Sequence, residues 1–131
     1  MRVFNAVITW STDQSTYTTS GDISNAALYS VPISLRHIDV YSAQIVTTGA
    51  TVTGAFKLQV SNDEPNLSPT NIPTASAMNW TDVDSSSQTV TTAGSVVWNA
   101  SGAGYLWVRI VWTESGTAAG SVTGRLVGKG D

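Results

Sequence analysis

Two runs with a repeat of two residues constrain this chain more than anything else in it. Phe56-Lys57-Leu58-Gln59-Val60-Ser61 alternates apolar and polar residues, as a strand with one covered face does. Tyr105-Leu106-Trp107-Val108-Arg109-Ile110-Val111-Trp112-Thr113 is apolar on both alternations. Leu106, Val108, Ile110 and Trp112 share one face; Tyr105, Trp107 and Val111 share the other with a single charge, Arg109. A strand of this kind must be covered twice, by its own core and by a second layer. The expectation is that a neighbouring protein surface supplies the second cover.

The rest of the chain has the same character. Val, Thr, Trp and Tyr are plentiful, and no segment has helical periodicity. Strands are expected at Val3 to Trp10, Tyr17 to Ser20, Ala27 to Val31, Ile38 to Thr47, Gly54 to Ser61, Trp80 to Val83, Gln88 to Thr91, Ser95 to Asn99, Tyr105 to Thr113 and Ser121 to Val127. Between them stand turn signals such as Thr48-Gly49, Ser101-Gly102-Ala103-Gly104 and Ala119-Gly120, with Gly120 to Gly124 also read as a turn. This many short strands in 131 residues predicts an all-β fold, a two-sheet β-sandwich of jelly-roll type. It is expected to be one domain spanning 1–131, with an N-terminal contact strand over 1–12. The stretch 63–79 carries Pro65, Pro69 and Pro73 and is expected to be a long loop.

Composition excludes several functions. Six basic against nine acidic residues, net charge −3, lack the clustered cations that nucleic acid requires. With no cysteine there is no disulfide, thiolate metal site or cysteine nucleophile. No run approaches the ~20 apolar residues of a membrane span, and no signal peptide is recognised, so synthesis in a cytoplasm is expected. Only 11% of residues are charged, whereas 35 are Ser or Thr. Such a surface repels its neighbours little.

No constellation points to catalysis. The one histidine, His37, has no nucleophile-elbow serine to serve, and it is expected at a surface. Asp82 and Asp84 share a strand face near Asp63 and Glu64, but their spacing matches no calcium loop. No catalytic residue, cofactor or metal ligand is therefore assigned, and the chain is expected not to be an enzyme. Aromatic faces are the alternative source of function. Phe4, Trp10, Tyr105, Trp107 and Arg109 are the candidate contact residues, because exposed aromatics and arginine concentrate contact energy.

Gly54 to Asp63, followed by Asn79-Trp80-Thr81-Asp82-Val83, is similar to the strand, Ser-Asn-Asp and Asn-Trp-Thr order of discoidin-like β-sandwich modules. Here an insertion, Glu64 to Met78, separates the two parts. The run from about Val40 to Lys129 more closely resembles small virion proteins of tailed bacteriophages. It shares Gln44, Ser61-Asn62-Asp63, Trp80-Thr81-Asp82, Tyr105 to Arg109 and Lys129-Gly130 with them. The resemblance implies that Trp80 plugs a core and Arg109 anchors neighbouring loops. It further implies a virion structural protein, of the class that includes capsid decoration or cement proteins and minor head or tail components, without choosing among them. Within that class a decoration or cement protein bridging subunits on the capsid exterior is the expectation. Its partners would be the major capsid protein or other virion proteins, and it would form a homo-oligomer, a dimer or trimer. The rivals are a receptor- or glycan-binding module of a fibre or spike, and a carbohydrate-binding domain.

Overall fold

The computed structural model describes residues 2–63, 73–101 and 104–130. These residues form twelve strands: β1 (Arg2–Ile8), β2 (Trp10–Ser11), β3 (Gly21–Asp22), β4 (Ala27–Ser30), β5 (Ile33–Ser34) and β6 (Val40–Thr51). After these come β7 (Gly54–Ser61), β8 (Thr81–Asp82), β9 (Gln88–Val90), β10 (Gly94–Ser101), β11 (Trp107–Glu114) and β12 (Ala119–Gly130). One short 3-10 turn, Ala75–Ala77, interrupts them.

The strands form two antiparallel sheets packed face to face. One runs β1-β12-β6-β10, with β3 beside β12; the other runs β2-β4-β11-β7-β8, with β5 beside β11 and β9 beside β7. When short consecutive strands are merged into single legs, successive legs mostly alternate between sheets. The first and last strands are neighbours, which is jelly-roll connectivity. The expected fold class is thus the observed one.

Inward-facing residues of both sheets make the core. Phe56, Leu58 and Val60 of β7 meet Val108, Ile110 and Trp112 of β11 on one side, and Tyr41, Ala43 and Ile45 of β6 lie on the other. At the centre Phe56 packs 4.6 Å, ring centre to ring centre, from Trp112 and edge-on to Trp10 at 6.4 Å. The Trp112 indole donates to the Ile23 carbonyl at 3.1 Å, so its polar atom is satisfied in the core. Buried Ser30 does similar work, its hydroxyl accepting the Ile110 amide at 2.7 Å.

Several expectations are corrected. Tyr17 to Ser20 forms no strand, only a bridge from Thr18 to Trp10. The preceding segment curls instead around Asp13, whose Oδ1 accepts the Ser15 and Thr16 amides, both at 2.9 Å, and the Ser11 hydroxyl at 2.6 Å. The span Gly120 to Gly124 is not a turn but part of β12. Gly120 has φ +151° beside a register shift, where a side chain would be driven into the Thr48 carbonyl. Glycine is needed there for close backbone approach, not for reversal. Of the expected long loop, 64–72 lie outside the described residues, as do Gly102 and Ala103; Glu64, Pro65 and Pro69 fall there too.

Candidate functional site

Three places on the molecule bear on function: the outer side of the β11 sheet, a groove at one end of the sandwich, and the outer face of the β6 sheet.

The first expected site is occupied by the chain itself. Every residue from Trp107 to Trp112 is buried, including Arg109 at 6% exposure and Trp107 at 7%. The Arg109 guanidinium lies between the rings of Trp80 and Tyr29, with its carbon 4.3 and 4.7 Å from their centroids. Its Nε donates to Gln59 Oε1 at 2.9 Å and its Nη1 to Gln14 Oε1 at 2.8 Å. Desolvation holds this guanidinium down to about 10, and among the described residues no carboxylate compensates it. Two aromatic faces and two amide oxygens stand in for a counter-ion. Trp80 is itself fastened, its indole donating to the Ala75 carbonyl at 3.0 Å, and Trp107 donates to the Asp63 carbonyl at 3.2 Å. The second cover of β11 is therefore intramolecular. Trp107 and Arg109 are not an open docking patch, because the loops bearing Gln14 and Trp80 fold back over them.

Trp10 is likewise removed from the surface, at 1% exposure. The chain passes from one sheet to the other at Thr9, so Trp10 starts β2 rather than continuing β1. Phe4 remains exposed at 39% and Tyr105 at 40%, on different parts of the molecule. The structure thus does not bring the five candidates together. It unites only Trp107 and Arg109, and it does so in the interior.

Tyr105 lines the groove, an open hollow of about 800 Å3. Its walls come from both sheets: Tyr41, Asn99 and Ser101 from β6 and β10, and Val60, Thr81 and Asp82 from β7 and β8. Asp63 and Asp84 add carboxylates. Asp63 Oδ2 accepts from the backbone amide of Asn79 and, at 3.2 Å, from its side chain. Asp82 is held below the ordinary carboxylate range by Gln59, at 2.9 Å, and Lys57, at 3.0 Å. Burial pushes the Tyr41 phenol up, and the neighbouring Tyr105 adds to this. The groove thus offers one accessible ring, amides and an excess of negative charge. Among the described residues, no three potential metal ligands of the His, Cys, Asp and Glu type gather at one point. His37 is exposed on a turn with φ 65°.

Among the described residues, the outer face of the β1-β12-β6-β10 sheet has no such cover. Val3 is 68% exposed, Val7 49%, Val40 46%, Val46 41%, Val97 49% and Val127 38%. Val3 pairs with Lys129 and Val7 with Arg125, so two cations punctuate this valine surface, and the remaining positions are largely Ser, Thr and Gln. In the sequence this face is less conspicuous than the aromatics. Its signal was nonetheless present, since Val40, Ser42, Gln44 and Val46 alternate with buried Tyr41, Ala43 and Ile45.

Neither a protein-family model nor a curated protein matches the chain. Among solved structures it is similar to the SPBc2 prophage-derived protein YomS, at 13% identity over 98% of this chain and 95% of that one, with a TM-score of 0.46. It is also similar to chitosan-binding module 1 of a chitosanase/glucanase from Paenibacillus sp. IK-5, at 20% identity over 82% and 73%, TM-score 0.43. A xylan-binding module, CBM86, from Roseburia intestinalis is similar at 9% identity over 98% and 96%, TM-score 0.44. These are likenesses of fold at low identity.

Proposed function

We propose that the chain is a bacteriophage virion structural protein, a decoration or cement protein that binds the capsid exterior and bridges adjacent capsid subunits. The reading rests on the resemblance carried by Ser61-Asn62-Asp63, Trp80-Thr81-Asp82 and Tyr105 to Arg109. The observation that carries the mechanism is the open valine face of the β6 sheet. Each Å2 of apolar surface it loses to a partner contributes roughly 25 cal/mol before association costs. Among the described residues neither Arg125 nor Lys129 pairs with a carboxylate, so a capsid surface offering apolar residues with scattered acids complements it. The contact face is thus moved from Trp107 and Arg109 to Val46 and Val97.

Capsids stripped of the protein are expected to lose heat or osmotic resistance and to regain it when the protein is added back. Val46→Glu with Val97→Glu should fail to restore it while melting within a few degrees of the parent protein. Capsids that bind the double variant as well as the parent would sink this placement.

The groove favours a second reading, a receptor- or glycan-binding module. Tyr105 gives a sugar ring a stacking face, and Asp63, Asp82 and Asp84 give its hydroxyls acceptors. A glycan array decides it: specific binding abolished by Tyr105→Ala supports this reading, and an array without binding removes it.

A further inference from the structure

We propose that two copies of this chain join through β1, antiparallel and about a two-fold axis at Asn5, making one continuous sheet across the pair. This goes beyond the virion reading and holds whether or not the chain belongs to a capsid.

Among the described residues β1 ends its sheet, paired with β12 on one side and with nothing on the other. Its seven residues, Arg2–Ile8, run in unbroken register with β12. The edge therefore presents a row of unpaired backbone donors and acceptors. Edge strands are normally blunted by proline, by a bulge or by inward-pointing charge. This one has neither proline nor bulge, and its one charged residue, Arg2, though on the same inner side as Phe4, lies at its very end. The strand also reaches past the second sheet. Phe4 points to the inner side yet stays 39% exposed, opposite Gly128, in a shallow hollow with Arg36, His37 and Ile38.

The strand is complementary to itself. An axis at Asn5 sets Val3 against the partner's Val7 and Phe4 against the partner's Ala6, while Asn5 faces the partner's Asn5. Val3 and Val7 are 68% and 49% exposed and lie on the same outer face, so the two most open apolar residues of the strand cover each other. A slip of one residue would turn every side chain to the opposite face of the partner sheet. A slip of two would leave part of the strand unmatched. The two Arg2 side chains fall at opposite ends of the junction, so no like charges meet. The net charge of −3 per copy adds little repulsion.

Sedimentation of the purified chain over a concentration series is expected to show a monomer–dimer equilibrium. Val3→Lys with Val7→Lys sets two like-charged pairs across the axis and should weaken the dimer about tenfold or more. Val3→Lys with Val7→Glu makes the same two pairs opposite in sign and should restore it. Within the monomer positions 3 and 7 face Lys129 and Arg125, so at concentrations too low for dimer the Lys/Lys variant should melt slightly below the parent and the Lys/Glu variant between the two, with all three still folded. A parent chain that stays monomeric overturns the proposal, as do two double variants that dimerise equally. Growth into open-ended assemblies also overturns it, since that is the mark of β1 docking head-to-tail on another copy's β10.

Discussion

The guanidinium carbon of Arg109 stands 4.3 Å from the centre of the Trp80 ring. That contact ties the middle of β11 to a segment lying across the outside of its sheet. With Gln14 and Tyr29 on the other flanks, it turns a strand with two apolar faces into one with two interior faces. The energetics of this cap can be measured directly.

Replacing Arg109 with alanine removes two cation–π contacts and leaves the amides of Gln59 and Gln14 without their donor. A loss of about 2–3 kcal/mol is expected, seen as a Tm lower by roughly 6–12 °C in a circular dichroism melt. Arg109→Met should cost less than alanine, because it keeps the packing stem and buries no charge. Equal melts for alanine and the parent chain would show that the cap contributes nothing.

Gly120→Ala should destabilise by about 2–3 kcal/mol, since the added methyl meets the Thr48 carbonyl at φ +151°. Gly94→Ala is the matched control. Nothing lies within 4 Å of the methyl it would add, and its effect should stay within about 1 kcal/mol. Urea melts of the two variants make the comparison.

Ser30→Ala should strand the Ile110 amide, which loses its 2.7 Å acceptor inside the core. The cost is about 1–3 kcal/mol. Faster hydrogen exchange at Ile110 should accompany it; an unchanged exchange rate would contradict the assignment.

Asp13 is drawn from the ordinary value of 3.8 down to about 2, first by the Ser11 hydroxyl and then by the Thr16 and Ser15 amides. A carboxylate with a depressed folded-state value stabilises the fold above its unfolded value, and that contribution is lost as pH falls. Stability should therefore decline from near pH 4 toward pH 2, with Asp22 and Asp82, lowered in the same sense, contributing alongside. Asp13→Asn should flatten this part of the acid melting curve. A variant that follows the parent throughout would rule Asp13 out.

Much of the fold was legible because strand alternation is a local property. Gly54 to Ser61 is bounded as expected, and Trp112 takes the core face that its alternation with Val108 and Ile110 assigns. The requirement that β11 be covered twice was legible too, but alternation says only that a cover exists. The residues that provide it, Gln14 and Trp80, arrive by folds of the chain that no local pattern encodes. Trp10 was misplaced for a related reason. Val7, Ile8 and Trp10 look like one strand, and the crossing at Thr9 leaves no compositional mark. Gly120 misled because glycine signals a reversal and a close backbone approach with the same letter. The groove escaped notice because Tyr41, Asp82 and Asn99 belong to different strands and meet only after both sheets are stacked.

Arg2 and Gly130 are register partners, so the first and last described residues lie side by side on adjacent strands. The molecule is accordingly suited to circular permutation. A short linker between the ends, with new ones opened at exposed Thr92, would change the order in which the strands are synthesised while keeping every strand pairing.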